Sequence, residues 1–288
     1  MRDRLVYLLV RGMVGLFGLL PATGARKVGE WGGLVWYMVG GRRKRMVRRH
    51  MRRVLGGGVE VEAAVRNVFT SYGRYWAETF WVRPRRIPEL DRGLTIDGLE
   101  HLAGPGRSGT GAVISLPHLG NWEAAALSGA RAGIQVVAVA EKLGNPLITR
   151  WFTSLREAFG IRVILNTKGV MRQAEAAVRA GGAVCLLADR DLSGRGVKTE
   201  FFGETTTLPA GPVALASRTG APLISAVCYF TPTGHHLVLG PPMDIPDGPE
   251  RLEQGTRVVA ARLEADIRQA PEQWHLLQPN WPSDQTEE

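Results

Sequence analysis

The sequence predicts an α/β fold, with a mostly parallel central sheet flanked by helices and a helical segment ahead of it. Three observations predict it. From about residue 94 onward, short apolar runs of strand length alternate with stretches whose apolar residues recur at helical spacing. Polar residues able to do chemistry stand just past two of those runs, at His118 and at Asp189–Arg190–Asp191; an open parallel sheet keeps its ligand crevice at such strand ends. The 288 residues suffice for one large core, with ordinary composition and no internal repeat.

The helical segment comes first. Residues 5–20, LVYLLVRGMVGLFGLL, are apolar but interrupted by Arg11. A membrane span takes about 20 apolar residues, and a mid-helix arginine costs roughly 2.5–3.5 kcal/mol there. A helix lying in an interface, with Arg11 reaching to the headgroups, fits better than a span or an export signal. Trp31, Trp36 and Tyr37 follow, aromatics of the kind that favour a membrane–water boundary. Next come Arg42, Arg43, Lys44, Arg45, Arg48, Arg49, Arg52 and Arg53. Of the net charge of +9, residues 1–55 carry +11 (13 Lys/Arg, two acids) and the remainder −2 (23 Lys/Arg, 25 acids). The basicity therefore describes an anchor and not the body. Basic runs also bind nucleic acid, but the adjoining apolar and aromatic stretches favour anionic lipid, each cation being worth about 1 kcal/mol at such a surface. The chain thus divides into a membrane-associating helical segment, 1–55, and an α/β domain, 56–288.

The body reads in order. Residues 59–82 place Val65, Val68, Phe69, Tyr72, Tyr75, Trp76 and Phe80 at helical spacing, and Arg83–Pro84 stops that helix. Leu94–Ile96 is a short strand. Gly104, Gly106 and Gly109 spell G-x-G-x-x-G, but ahead of a strand instead of after one, so they read as a turn and not as a dinucleotide site. Strands are expected at 110–116, 134–140, 162–165, 183–188, 198–202, 223–231 and 236–239. Helices are expected from Asn121 to about Ala132, from Pro146 to about Phe159, and over 170–179, 209–219 and 249–269. The aromatic tail 271–282 can pack back on the body. Cys185 and Cys228 lie in apolar runs and read as free buried thiols, without metal-ligand spacing.

The central stretch is Val113–Glu123, VISLPHLGNWE. Pro117 ends the strand, His118 follows in a tight turn, and Asn121 caps the next helix. Glu123, in the first helical turn, can fold back toward His118, and a carboxylate-oriented imidazole is a general base for an alcohol. The same spacing suits a plain capped turn, with Glu123 answering the helix dipole. Asp189 or Asp191 can also orient the ring from the neighbouring strand, and Arg190 can meet a phosphate. Glu141 and Arg156 suit an ion pair as well as a site. Phe201–Phe202, followed by Thr205–Pro212, can wall an acyl chain or offer N–H groups to a phosphate. No G-x-S-x-G, H-E-x-x-H, Cys/His cluster or Walker A loop is present. A base and acids without a nucleophile suit direct attack of a hydroxyl on an activated acyl group.

Three blocks, PHLGNWE (117–123), LLADRDLSGRGVKTEFFG (186–203) and TTTLPAGPVALASRTGAP (205–222), resemble the lipid A biosynthesis (lauroyl/myristoyl) acyltransferase family, in its phosphatidylinositol mannoside acyltransferase branch. TIDGLEHL (95–102) and PEQWH (271–275) agree, so the likeness covers the chain. It implies a glycerolipid-acyltransferase-like α/β sandwich, peripheral on the cytoplasmic face of the plasma membrane. It implies transfer of a fatty acyl group, typically palmitoyl, from acyl-CoA to the 6-hydroxyl of the mannose on inositol position 2 of phosphatidylinositol mannosides. His118 matches the catalytic base and Glu123 the acid of the motif. Asp189 or Asp191 matches a further supporting carboxylate. Glu141 and Arg156 match polar residues lining the site, while Asn121, Arg190, Phe201 and Phe202 remain substrate-binding candidates from the residues themselves. The partners expected are acyl-CoA, the mannoside and anionic lipid, with no nucleic acid, no metal and no cofactor beyond the donor. Two alternatives stand beside it: a lipid A-type lauroyl or myristoyl transferase, and a non-catalytic protein that only binds anionic membranes.

Overall fold

The structure, a computed structural model, describes residues 1–58 and 60–285. Its first four helices are α1 (Arg2–Phe17), α2 (Ala22–Val39), α3 (Gly41–Leu55) and α4 (Glu60–Trp81). There follow α5 (Ile87–Arg92), β1 (Leu94–Asp97), α6 (Leu99–Ser108), β2 (Ala112–Leu116), α7 (Trp122–Ala125), α8 (Leu127–Ala132) and β3 (Val136–Ala140). Next are α9 (Pro146–Ala158), β4 (Arg162–Leu165), α10 (Val170–Arg179), β5 (Ala183–Leu187), β6 (Val197–Phe201) and β7 (Glu204–Leu208). The chain continues through α11 (Gly211–Thr219), β8 (Leu223–Phe230), β9 (His235–Pro242) and α12 (Arg251–Gln269) into a tail that crosses back over the body.

Seven strands form one sheet in the order β1-β9-β8-β2-β5-β3-β4, parallel throughout except for the antiparallel β8–β9 pair. This is the α/β architecture expected from the alternation. Strand β2 lies near the middle and is buried along its whole length. Its alternate residues serve opposite faces: Val113 joins one apolar cluster, whereas Ala112, Ile114 and Leu116 join the other. Strands β2 and β5 run in step, from Ala112 opposite Ala183 to Leu116 opposite Leu187. The Ala188 N–H donates to the Leu116 carbonyl at 3.0 Å. That register delivers His118 and Asp189 to the same edge.

Helix α2 lies against α4 along a seam of glycines. A Cβ at Gly33 would come within 2.1 Å of the Phe69 carbonyl oxygen, and one at Gly73 within 2.1 Å of that of Gly29. Backbone meets backbone there, which only glycine permits. Trp36 and Tyr37 pack against Phe69 from this seam, while Trp31 stays 73% exposed. Helix α3 buries Met46, Val47, His50, Met51 and Val54 against the body. Among the described residues no helix is long and apolar enough to cross a membrane.

Several local expectations change. Gly104 and Gly106 lie within helix α6, and only Gly109 takes a left-handed cap (φ 69°). Burial of Leu102 outweighs the poor helix propensity of the Gly-Pro-Gly stretch. Gly106 also lets α6 approach the end of α8, since a Cβ there would lie 2.8 Å from the Ala132 carbonyl oxygen. The helix capped by Asn121 breaks at Ala126 into α7 and α8. Thr205–Leu208, outside the expected strands and helices, belong to β7, which pairs antiparallel with β6. A two-residue turn joins them, Phe202–Gly203, with both φ angles positive (51° and 74°). β-Branched threonines favour the strand. Residue 59, the first of the expected 59–82 helix, lies outside the described residues. Both cysteines are free, Cys228 buried and Cys185 half-buried.

Candidate active site

Past the end of β2 the chain turns sharply through residues 117–121. Gly120 takes a positive φ (58°), and a Cβ there would lie 2.0 Å from the Cys228 carbonyl oxygen. The His118 ring is held from behind. Its Nδ1 lies 2.8 Å from Asp189 Oδ1, and its backbone N–H donates to Asp189 Oδ2 at 3.1 Å. Asp189 is fully buried. Burial alone would raise its carboxyl, but the His118 ring and the Trp274 and His118 N–H donors bring it below the usual carboxylate range. An ionised Asp189 fixes the proton on Nδ1 and leaves Nε2 bare. Among the described residues Nε2 has no partner, and the ring lines an open cavity.

The carboxylate that steers the ring is therefore Asp189, and neither Asp191 nor Glu123. Asp191 organises its own loop, accepting from the Ser193 N–H and hydroxyl at 2.8 Å each and from the Gly196 N–H at 2.7 Å. Glu123 does not fold back on His118. Its first-turn position points it at α9, where Arg156 Nε donates to Oε2 at 3.0 Å and Nη2 to Oε1 at 2.6 Å. Burial opposes the Arg156 charge, and the Glu123 partner more than restores it. His118, Glu123, Arg156, Glu141 and Arg190 all line the same cavity. Arg190 is half-buried there and has no ion pair or hydrogen bond among the described residues.

Three expected binding residues are placed elsewhere. Asn121 is buried beneath the turn, caps Ala124 N–H at 3.1 Å and donates to Glu78 Oε2 at 2.7 Å. It does not line the cavity. Phe201 and Phe202 do not wall it either. They are sealed in the core against Trp274 and Trp281, because the tail folds over them. The N–H groups of Gly120 and Asn121, natural candidates for an oxyanion, are already spent on the carbonyls of Gln273 and Cys228.

Glu78 anchors the turn from below. Its Oε1 accepts from Arg26 (2.8 Å) and Arg74 (3.0 Å), and its Oε2 lies 2.7 Å from both Asn121 Nδ2 and His235 Nε2. Burial would raise its carboxyl, but His235 and the two arginines hold it down at about 2. Helices α2 and α4 are thereby wired to the helix that follows His118.

Residues 273–280 of the tail complete the site, and sequence reasoning took them for packing alone. His275 N–H donates to the His118 carbonyl at 2.8 Å, and Trp274 Nε1 to Asp189 Oδ2 at 2.8 Å. The His275 ring lines the cavity near Ser71 Oγ (2.8 Å), and burial and the His118 charge lower it to about 3, so it stays neutral. No spacing in the sequence links these residues to His118.

The cavity holds about 370 Å³ and runs from this polar edge inward between the sheet and α7–α9. Leu116, Ala125, Ala138, Ala140, Phe152 and Leu187 are among its walls. Such a chamber suits a substrate with a long hydrocarbon part and a reacting polar end. The class this fits is an α/β enzyme acting on a substrate with a large apolar part. The sequence model described as bacterial lipid A biosynthesis acyltransferase matches residues 2–283, and the chain belongs to that family of acyltransferases. It is 34% identical to a phosphatidylinositol mannoside acyltransferase of Mycolicibacterium smegmatis, over 99% of this chain and 90% of the relative. Against the protein of that description from Mycobacterium tuberculosis it is also 34% identical, over 93% of this chain and 86% of the relative.

Proposed function

We propose that the protein moves a palmitoyl group from acyl-CoA to the 6-hydroxyl of the mannose on inositol position 2 of a phosphatidylinositol mannoside. The observation that carries this reading is the open Nε2 of His118 at the mouth of an apolar cavity, with Nδ1 tied to buried Asp189. Nε2 takes the hydroxyl proton, the sugar oxygen attacks the thioester carbonyl, and the C–S bond breaks as the imidazolium protonates the departing thiol. One C–O bond forms, one C–S bond breaks, and no acyl-enzyme is needed. Among cations lining the cavity, Arg190 is free to meet the donor's phosphates or the developing oxyanion. Glu123 and Arg156 supply paired polar groups for the sugar. The acceptor class rests on the likeness to the two mannoside acyltransferases.

The same reading puts the enzyme on the cytoplasmic leaflet. Helices α1 and α2 and the turn between them leave Leu8, Leu9, Leu19, Trp31, Met38 and Val39 exposed on the surface. An apolar patch of that kind, followed by the basic α3, suits an anionic bilayer as partner.

Mass spectrometry of products tests the proposal, with palmitoyl-CoA offered alongside mannosylated inositol lipids and lipid A precursors. A palmitoylated mannoside, absent with His118→Ala, supports it. Acylation of only the lipid A precursors, or unchanged turnover by His118→Ala, overturns it.

A further inference from the structure

The proposed role of His118 leaves one feature unaccounted for. Trp274 is 1% exposed, deep in an aromatic cluster, yet its single polar atom is spent on the carboxylate behind the ring. We propose that Trp274 is a positioning residue for His118, acting through Asp189. Its indole N–H holds the carboxylate so that Oδ1 faces His118 Nδ1, and it limits the negative charge which that oxygen presents. The inference rests on the general-base reading of His118.

The geometry argues for it on both sides of the pair. Asp189 Oδ2 accepts the Trp274 indole at 2.8 Å and the His118 backbone N–H at 3.1 Å, which leaves Oδ1 for the ring at 2.8 Å. Without the indole, one backbone donor alone would hold Oδ2. The tail also grips the base itself. Gln273 and His275 bond to the backbone of Gly120 and His118, so the residue between them is carried straight to the acid. The indole is fixed in turn by Phe202, His50 and Trp281, with ring centroids 5.7, 5.7 and 6.4 Å away. Asn280 Nδ2, further along the tail, donates to the Asp189 carbonyl at 3.1 Å. One segment therefore sets the acid, its backbone and the turn that carries the imidazole.

A donor on a carboxylate draws charge from it, so a carboxylate that loses one binds a neighbouring imidazolium more strongly. The other ionisable groups lining the cavity with His118 are Arg190 beside Asp189, Glu123 on α7, Arg156 on α9, Glu141 after β3, Cys185 on β5, Tyr72 and Tyr75 on α4, and His275 on the tail. None of them bonds to the Trp274 indole among the described residues, so its removal reaches His118 through Asp189.

The test is Trp274→Phe, which keeps a ring in the cluster and deletes the N–H. The acid limb of kcat/KM for thiol release should move to higher pH by about half a unit, with kcat down roughly tenfold and KM little changed. Histidine-selective NMR, assigned with His118→Gln, should show the His118 imidazole titrating higher by the same amount. A loss of kcat with an unmoved acid limb and an unmoved titration would mean a packing role and overturn the proposal. Should the variant melt, the full-length wild type still decides: its Trp274 indole N–H resonance should move as His118 titrates, and a resonance that stays put overturns the coupling. The NMR readouts need no substrate. A wild type that fails to acylate any mannoside would sink the functional reading while leaving the coupling to be judged alone.

Discussion

Glu123 lies five residues after His118, yet its carboxylate is clasped on both oxygens by Arg156, with Nη2 at 2.6 Å from Oε1. The acid nearest the histidine in sequence is thus not the one that steers it. The two carboxylates of the site divide the work: Asp189 behind the ring, Glu123 within a buried ion pair at the cavity wall.

Asp189→Asn should therefore be far more damaging than Glu123→Gln to the proton-transfer step. An amide at this position can reverse the tautomer of His118, and a loss of roughly 10²–10⁴-fold in kcat is expected. Thiol release from palmitoyl-CoA in the presence of mannoside checks it. An Asp189→Asn enzyme within threefold of wild type (~0.7 kcal/mol) would remove Asp189 from the mechanism.

Glu78 predicts a pH-dependent stability. Its folded carboxyl is held at about 2, below its ordinary 4.5, so its contribution is complete above 4.5 and lost as pH falls through 2. A depression of that size is worth about 3 kcal/mol. Urea midpoints should fall between pH 4.5 and 2 for wild type and vary less for Glu78→Gln. At neutral pH the variant should lose about 3–5 kcal/mol, because Arg26 and Arg74 keep buried charges without their partner.

The glycine seam predicts a second stability effect with a different cause. Gly33→Ala places a methyl 2.1 Å from the Phe69 carbonyl oxygen, so α2 has to lift from α4. Overpacking of this kind costs about 1–3 kcal/mol. Gly32→Ala, one residue away, meets nothing within 4 Å and should melt at or above wild type. Thermal melts of the pair separate packing from helix propensity.

The cavity wall predicts a change in donor choice. Ala138, half-buried on β3, lines the chamber. Ala138→Leu should cut kcat/KM for palmitoyl-CoA by about tenfold while sparing octanoyl-CoA, since each displaced methylene is worth about 0.8 kcal/mol. Equal losses on both donors would place the hydrocarbon elsewhere.

On the exposed apolar face of α1, Leu8→Asp with Leu9→Asp should weaken co-sedimentation with anionic vesicles by roughly a hundredfold, at about 1.5 kcal/mol per leucine. Both side chains are more than 60% exposed, so folding should survive the change. Unaltered sedimentation would assign this surface to something other than lipid.

Much of this was legible in the sequence because local signals agreed. Pro117 and Asn121 marked the turn and the cap, and two apolar runs read as parallel neighbours put Asp189–Arg190–Asp191 on the same sheet edge as His118. Choosing Asp189 over Asp191 was not legible, because the Ser193 and Gly196 N–H groups that capture Asp191 belong to an irregular loop. Phe201 and Phe202 misled for a related reason. A pair of adjacent aromatics looks like a wall until Trp274 and Trp281, much later in the chain, cover it. Trp274 itself carries no local signal, since its meaning comes entirely from a contact with a residue on another element.

The reliance of the His118 turn on residues 273–280 has a consequence for how the molecule is made. During synthesis the exposed leucines of α1 emerge ahead of the strand that brings His118. The clamp on that turn arrives only with the final helix behind it. A nascent chain therefore displays the apolar surface of α1 long before the His118 turn is clamped, and translation on the ribosome separates the two in time.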